Sequence, residues 1–192
     1  MPGPRWRTAR WMKAKHVSNP KDLKDRRLVV RTSAAKQSKS LESFCRVEAE
    51  CPQHRFVFVV CTLDGGRNYR ELQVLNQDLG RPVQILTDLL HLEVADLVGR
   101  AGIYLDTYVD DEAVPFGMPV SIAEAMATGG FVLCRRLNCA AEYVSNPGRL
   151  YDSEGMAAEL VRSTATWSEN DGALPLRHRS AGPIVCIGTM LC

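Results

Sequence analysis

The sequence predicts a doubly wound α/β domain built on a mostly parallel sheet, and three observations carry that expectation. Short β-branched runs alternate from Leu28 onward with longer stretches of helical spacing, the pattern of successive strand–helix units. The 192 residues are 45% apolar and 24% charged, which suits one domain with a proper core. No internal repeat or low-complexity tract interrupts the alternation.

Each element follows from its residues. Leu28–Thr32 (LVVRT) reads as the first strand, and Ser40–Cys51 as a helix with Leu41, Phe44, Cys45 and Val47 largely on one side. Phe56–Thr62 is the second strand, followed by a helix over Asn68–Leu79 whose apolar side holds Leu72, Leu75 and Leu79. Val83–Leu86 is the third, followed by His91–Gly99 with Leu92, Ala95 and Leu97 facing inward. Ile103–Asp106 and Phe131–Cys134 supply two more strands, with a short last one near Leu150. Helices over Ser121–Thr128, Ala140–Val144 and Ser153–Trp167 complete the regular part, the last with Met156, Leu160, Val161 and Thr164 at helical spacing.

The net charge of +2 conceals an uneven distribution. Residues 1–31 carry ten Lys/Arg against two Asp, residues 32–170 twelve against nineteen Asp/Glu, and residues 171–192 two against one. Residues 1–27, with Pro2, Pro4 and Pro20, therefore read as a basic linker or disordered arm, 28–169 as the folded domain, and 170–192 as an atypical tail ending in the apolar stretch Pro183–Cys192. No apolar run approaches the roughly 18 residues of a membrane span, and the N-terminus has no apolar segment after its charges. Seven cysteines, an odd number without a C-x-x-C pair, mostly sit in apolar runs. They suit buried reduced thiols, and the expectation is a cytoplasmic protein without a disulfide framework or zinc site. Trp6 and Trp11 among the basic residues of the arm could stack on single-stranded nucleic acid, but no RNP-like or zinc patterning accompanies them, and nucleic acid is not expected as a partner.

The stretch with most chemical content is Val114–Gly130, VPFGMPVSIAEAMATGG, between two predicted strands. Gly117 and Pro119 shape a tight loop, Ser121 is placed to cap the helix, and the N–H groups of Val120, Ser121 and Ile122 are left pointing out of its start. Free donors at the positive end of a helix dipole suit a phosphate or a sugar hydroxyl, and in an open parallel sheet such a loop lies at the carboxyl ends of the strands, where ligands bind. Ser121-x-x-Glu124 also fits a capping box. Glu124 is thus either a helix-end tie or an acceptor for paired ribose hydroxyls, and spacing does not choose between the two. Arg135 and Arg136 follow a strand, where they are either surface charges or phosphate contacts. Asp110–Glu112 reads as a solvated acidic loop, and His16, His54, His91 and His178 are scattered without a visible acid or nucleophile beside them.

Phe116–Gly130, FGMPVSIAEAMATGG, resembles the E-G-x-P-x-x-x-x-E-A-M-A-x-G segment in the C-terminal, donor-binding domain of retaining GT-B glycosyltransferases of family four. Gly117, Pro119, Glu124, Ala125, Met126, Ala127 and Gly129 fall in step with it. The likeness extends back through Ala101–Asp106 and forward through Glu142 and Gly148, covering roughly Leu28 to Glu169. It implies a Rossmann-like domain, one half of a GT-B architecture, that binds a nucleoside diphosphate sugar for retaining glycosyl transfer without a metal or other cofactor. It gives Glu124 the ribose and faces Gly117, Met118, Pro119, Val120 and Ser121 toward the sugar and diphosphate. Ser33–Ser40, SAAKQSKS, is similar to the family's G-R-x-x-x-x-K-G stretch, which makes Lys39 the cation that steadies the departing diphosphate. The chain departs from the pattern at Phe116, where the family has its first Glu, and at Ala34, where it has Arg.

The acceptor half of such an enzyme is expected on a separate domain or chain. Three functions thus stand side by side: a glycosyltransferase donor domain, a nucleotide or nucleotide-sugar binding module without transfer, and an interaction protein acting through its basic arm.

Overall fold

The computed structural model describes residues 24–34, 38–61, 67–80, 83–107, 120–136, 140, 144 and 146–164. The basic arm to residue 23 and the tail beyond residue 164, Trp167 included, lie outside the described residues. Among the described residues are six strands and five α-helices: β1 Asp25–Ala34, α1 Ser38–Ala49, β2 Arg55–Cys61, α2 Arg67–Asp78, β3 Gln84–Thr87, α3 His91–Arg100, β4 Ala101–Asp106, α4 Val120–Ala127, β5 Phe131–Arg135, β6 Leu150–Tyr151 and α5 Glu154–Ser163. All six predicted strands are present, and every pairing between them is parallel. The spatial order is β3-β2-β1-β4-β5-β6, the Rossmann-like order in which the chain runs outward from β1, returns to β4 and runs outward the other way.

A parallel sheet of this kind is covered on both faces, and its strands are apolar on both sides for that reason. Leu28, Val29 and Val30 at the centre of β1 are at most 1% exposed. Val29, Phe56, Phe58, Val60 and Leu105 meet α1, α2 and α5 on one face. There Phe44 of α1 packs edge-on against Phe56 and Phe58, with ring centroids 5.0 and 5.5 Å away. Leu28, Val30, Val57, Tyr104 and Val132 meet α3 and α4 on the other face.

Two helices differ from expectation. On α3, Leu92 and Ala95 are exposed rather than inward, and the helix is anchored by Val98 with Val94 and Leu97 partly buried. On α5 the buried face is carried by Ala157, Ala158 and Val161, with Met156 and Leu160 at its margin. Ser153 caps α5, its hydroxyl accepting from the N–H of Met156 at 3.2 Å. Of the predicted Ala140–Val144 helix only Ala140 and Val144 are described, the Val144 N–H donating to the Ala140 carbonyl at 2.9 Å.

β1 starts at Asp25, earlier than Leu28, and is joined to β4 through a register shift between Asp25 and Val29. Gly102 makes that junction: a Cβ there would stand 2.6 Å from both the Arg26 Cα and the Asp25 carbonyl oxygen. Just before it, the Lys24 ammonium donates to Thr128 Oγ1 at 3.2 Å, and burial lowers its pKa to about 8 from 10.5. The unfolded chain therefore binds more protons between about pH 8 and 10.5, and Lys24 becomes less unfavourable to folding as pH rises through that window. Lys24→Met is expected to be slightly more stable than the parent at pH 7 and to lose the advantage by about pH 10.5. The effect is small because the side chain is half-exposed, and denaturant midpoints measured across that range check it.

Candidate functional site

The strand order reverses between β1 and β4, neighbours in space with 66 residues between Ala34 and Ala101. From the carboxyl end of β1 the chain turns to α1 on one face of the sheet, and from the end of β4 it leads to α4 on the other. In open α/β sheets the connections that diverge at such a switch point bound a crevice where ligands sit. Of the two segments singled out in the sequence, Ser33, Ala34 and Ser38–Ser40 are described at the end of β1 and the start of α1, and Val120–Gly130 as α4 and the turn after it.

Beneath the crevice lies a buried polar network. Arg31, on β1, is 3% exposed and forms an ion pair with Asp106 at the end of β4. Burial is the largest single influence and works against the Arg31 charge, but the Asp106 carboxylate together with Tyr104 and Tyr151 outweighs it, so the guanidinium titrates above its ordinary range. Arg31 Nε also donates to Ser40 Oγ at 2.9 Å, in the first turn of α1. Thr107, just beyond β4, donates from Oγ1 to the Ser40 carbonyl at 2.8 Å and lies 3.1 Å from Ser40 Oγ. The Tyr151 phenol of β6 donates to the Asp106 carbonyl at 2.6 Å. Burial, reinforced by the Asp106 charge, pushes that phenol well above its usual range.

A second tie joins β1 and β4: the buried Tyr104 phenol lies 2.9 Å from Thr32 Oγ1. Ser121 is not the cap of its helix: α4 starts at Val120 and Ser121 is its second residue, so the expected Ser121–Glu124 capping box is out of register with this helix.

The carboxylate of Glu124 is thereby released from capping. It lies on the exposed side of α4 with Val120, and among the described residues it has no hydrogen-bond or ion-pair partner. Like α2, α1 and α4 carry no acidic residue in the first turn, so their positive ends are not neutralised from within; α3 and α5 carry Glu93 and Glu154 there. Lys39 is the second residue of α1, at the crevice edge. Gly117, Met118 and Pro119 lie outside the described residues, as do Asp110–Glu112 and Phe116.

Other candidates fall away from the crevice or are already engaged. Arg135 pairs with Glu154 at 3.5 Å and Arg136 with Asp152 at 3.0 Å, so both arginines meet carboxylates. Glu154 in turn accepts from Ser43 Oγ at 2.9 Å. His54 precedes β2, at the amino end of the strands and away from the switch point, and His91 is exposed at the start of α3. Burial pushes Cys45 up to about 12 and Cys51 up to about 11, as inert interior thiols. Among the described residues, no three His, Cys, Asp or Glu gather as a metal site, and no helix is long and apolar enough to cross a membrane.

The network under the crevice escaped the sequence analysis. Its trace is one Arg inside the apolar run LVVRT and one Asp closing AGIYLD, lone opposite charges on two strands that the topology makes neighbours.

No protein-family model and no curated protein sequence matches the chain. Solved structures do match in fold. A glycosyltransferase from Rickettsia africae ESF-5 superposes with a TM-score of 0.59 at 13% identity, over 72% of this chain and 37% of its own. Anabaena HepE, in complex with UDP and glucose, does so at 0.62 and 20% identity, over 76% and 40%. Thermobaculum terrenum O-GlcNAc transferase does so at 0.56 and 11% identity, over 73% and 29%. The chain thus has a fold found in glycosyltransferases and spans two fifths or less of the length of these proteins.

Proposed function

We propose that this chain is the donor-binding, C-terminal half of a GT-B glycosyltransferase of the retaining family-four kind, and that its ligand is a nucleoside diphosphate sugar. The observation that supports the reading is topological: the two segments that resemble the family's donor-site motifs run into α1 from β1 and into α4 from β4, the two strands at which the strand order reverses. Glu124 accepts the ribose hydroxyls. Val120 and Ser121, together with the Gly117–Met118–Pro119 approach, present backbone N–H groups to the diphosphate and sugar. Lys39 and the two helix starts stabilise the negative charge that gathers on the diphosphate as the sugar leaves.

No metal takes part in this scheme, since the ammonium and the helix dipoles supply the positive charge. Chelation with EDTA is accordingly expected to leave nucleotide affinity unchanged, and a loss of binding on chelation contradicts the scheme. The acceptor and its binding surface belong to a second domain or chain.

The experiment is calorimetric titration of the chain with UDP, GDP and their hexose conjugates, followed by a transfer assay with an acceptor domain supplied. Failure to bind any of the four ligands rejects the reading. Binding without transfer favours the alternative of a nucleotide-sugar module that does no chemistry, a reading to which Phe116 and Ala34 give substance, because neither can make the polar contact of the family's Glu and Arg.

A further inference from the structure

We infer that Thr107 is a positioning residue for the diphosphate: it holds the first turn of α1 against the end of β4, so that the turn's leading N–H groups and Lys39 meet the ligand in one fixed arrangement. The inference rests on the donor-binding reading above and adds a residue that neither motif contains.

Proton bookkeeping gives the network a direction. Arg31 Nε has a proton to give and nothing to accept, so Ser40 Oγ, 2.9 Å away, accepts from it. Thr107 spends its single hydroxyl proton on the Ser40 carbonyl at 2.8 Å. The 3.1 Å contact between the two hydroxyls must therefore use the proton of Ser40, with Thr107 Oγ1 accepting. The chain runs from the Arg31 cation through Ser40 Oγ and Thr107 Oγ1 and back to the Ser40 backbone. Each bond polarises the next, and Asp106 fixes the guanidinium at its head.

All four residues are buried, Thr107 completely and Ser40 to 2% exposure. Packing alone would be served as well by Val at position 107. The hydroxyl adds a tie between two elements on opposite sides of the crevice, made at the third residue of a helix whose first N–H groups have no intrahelical partner. A helix end otherwise frays within its first turn. Ordering the turn before the ligand arrives removes part of the ordering penalty from binding.

The test uses the full chain and the shape-conserving Thr107→Val, read against Thr107→Ser, with UDP, GDP, uridine and guanosine as probes. Thr107→Val is expected to weaken the preferred nucleoside diphosphate by about five- to tenfold, the scale of one or two neutral hydrogen bonds, to leave the matching nucleoside unchanged, and to be restored by Thr107→Ser. Amide hydrogen exchange is expected to quicken at Glu42, Ser43 and Phe44, whose N–H groups face the carbonyls of the first turn of α1, and not in α2. Ser40→Ala, which removes the middle hydroxyl, gives the same test if Thr107→Val does not fold. Equal loss of diphosphate and nucleoside marks a merely structural role, and unchanged diphosphate affinity marks none; either overturns the inference while donor binding stands. A parent chain that binds neither UDP nor GDP overturns the donor-binding reading, and this inference with it.

Discussion

Asp106→Ala is expected to lower the unfolding free energy by about 3–5 kcal/mol, because it strands the Arg31 guanidinium in the interior. Arg31 is 3% exposed and Asp106 4%, so water cannot take the place of the lost carboxylate. Removing the charge from both ends is a different matter. The desolvation penalty of a buried pair offsets much of its attraction, and apolar replacements of similar volume are often nearly neutral. The double variant Arg31→Met, Asp106→Leu is therefore expected to recover most of the loss, short of the bond that Ser40 Oγ no longer receives. Urea denaturation of the parent, Asp106→Ala, the singles Arg31→Met and Asp106→Leu, and the double variant gives the losses and the coupling. A single variant within 1 kcal/mol of the parent contradicts the placement of this pair beneath the crevice. Tyr151→Phe removes only the phenol bond to the Asp106 carbonyl, and about 1 kcal/mol is expected there.

The distinction bears on what the pair is for. If the double variant folds well but α1 loses its fixed first turn, then Arg31 and Asp106 contribute chiefly arrangement, heading the hydrogen-bond chain through Ser40 and Thr107, and little net stability.

The strands were legible because the sheet is parallel and covered on both faces: runs such as FVFVVC and FVLCR have no polar side to confuse them. α3 was harder for a physical reason. Across Leu89–Val98 the apolar residues Leu89, Leu90, Leu92, Val94, Ala95, Leu97 and Val98 fall on nearly every side of a helix, so spacing alone does not pick out Val94, Leu97 and Val98 as the buried strip. α4 starts one residue earlier than the pattern predicts: serine is a preferred cap, but Ser121 is the second residue of a helix placed beside the pairing of β4 with β1.

That pairing also explains what remained hidden at the site. Lys39 and Glu124 sit in segments whose local pattern carries a signal, whereas Arg31 and Asp106 are 75 residues apart and lie on strands that meet only after two others have been laid down on the far side of β1. No local spacing encodes such a contact. Each residue taken alone looks like a stray charge in an apolar strand, and the information becomes visible only with the strand order.

Glu124→Ala and Lys39→Ala are each expected to weaken binding of UDP or GDP by about 1–3 kcal/mol, the scale of a lost charge-assisted hydrogen bond. For Glu124 the structure separates this loss from any loss of fold. The side chain is exposed and has no partner among the described residues, so the alanine variant is expected to melt like the parent. Glu124→Gln keeps two of the acceptor positions without the charge and should fall between the two. Lys39 has more to overcome than a single lysine usually does, because residues 32–170 hold twelve Lys/Arg against nineteen Asp/Glu and repel an anionic ligand at long range. Binding must then rest on a few donors at short range, and deletion of one cannot be made good by a surrounding positive field. Added salt screens the repulsion as well as the attraction, so affinity is expected to vary less with ionic strength than at a broadly basic phosphate site. Calorimetry of the parent and the three variants at low and high salt checks all of this together. Parent-like affinity in both alanine variants removes the site from the switch point, and a melting loss in Glu124→Ala removes it from the exposed side of α4.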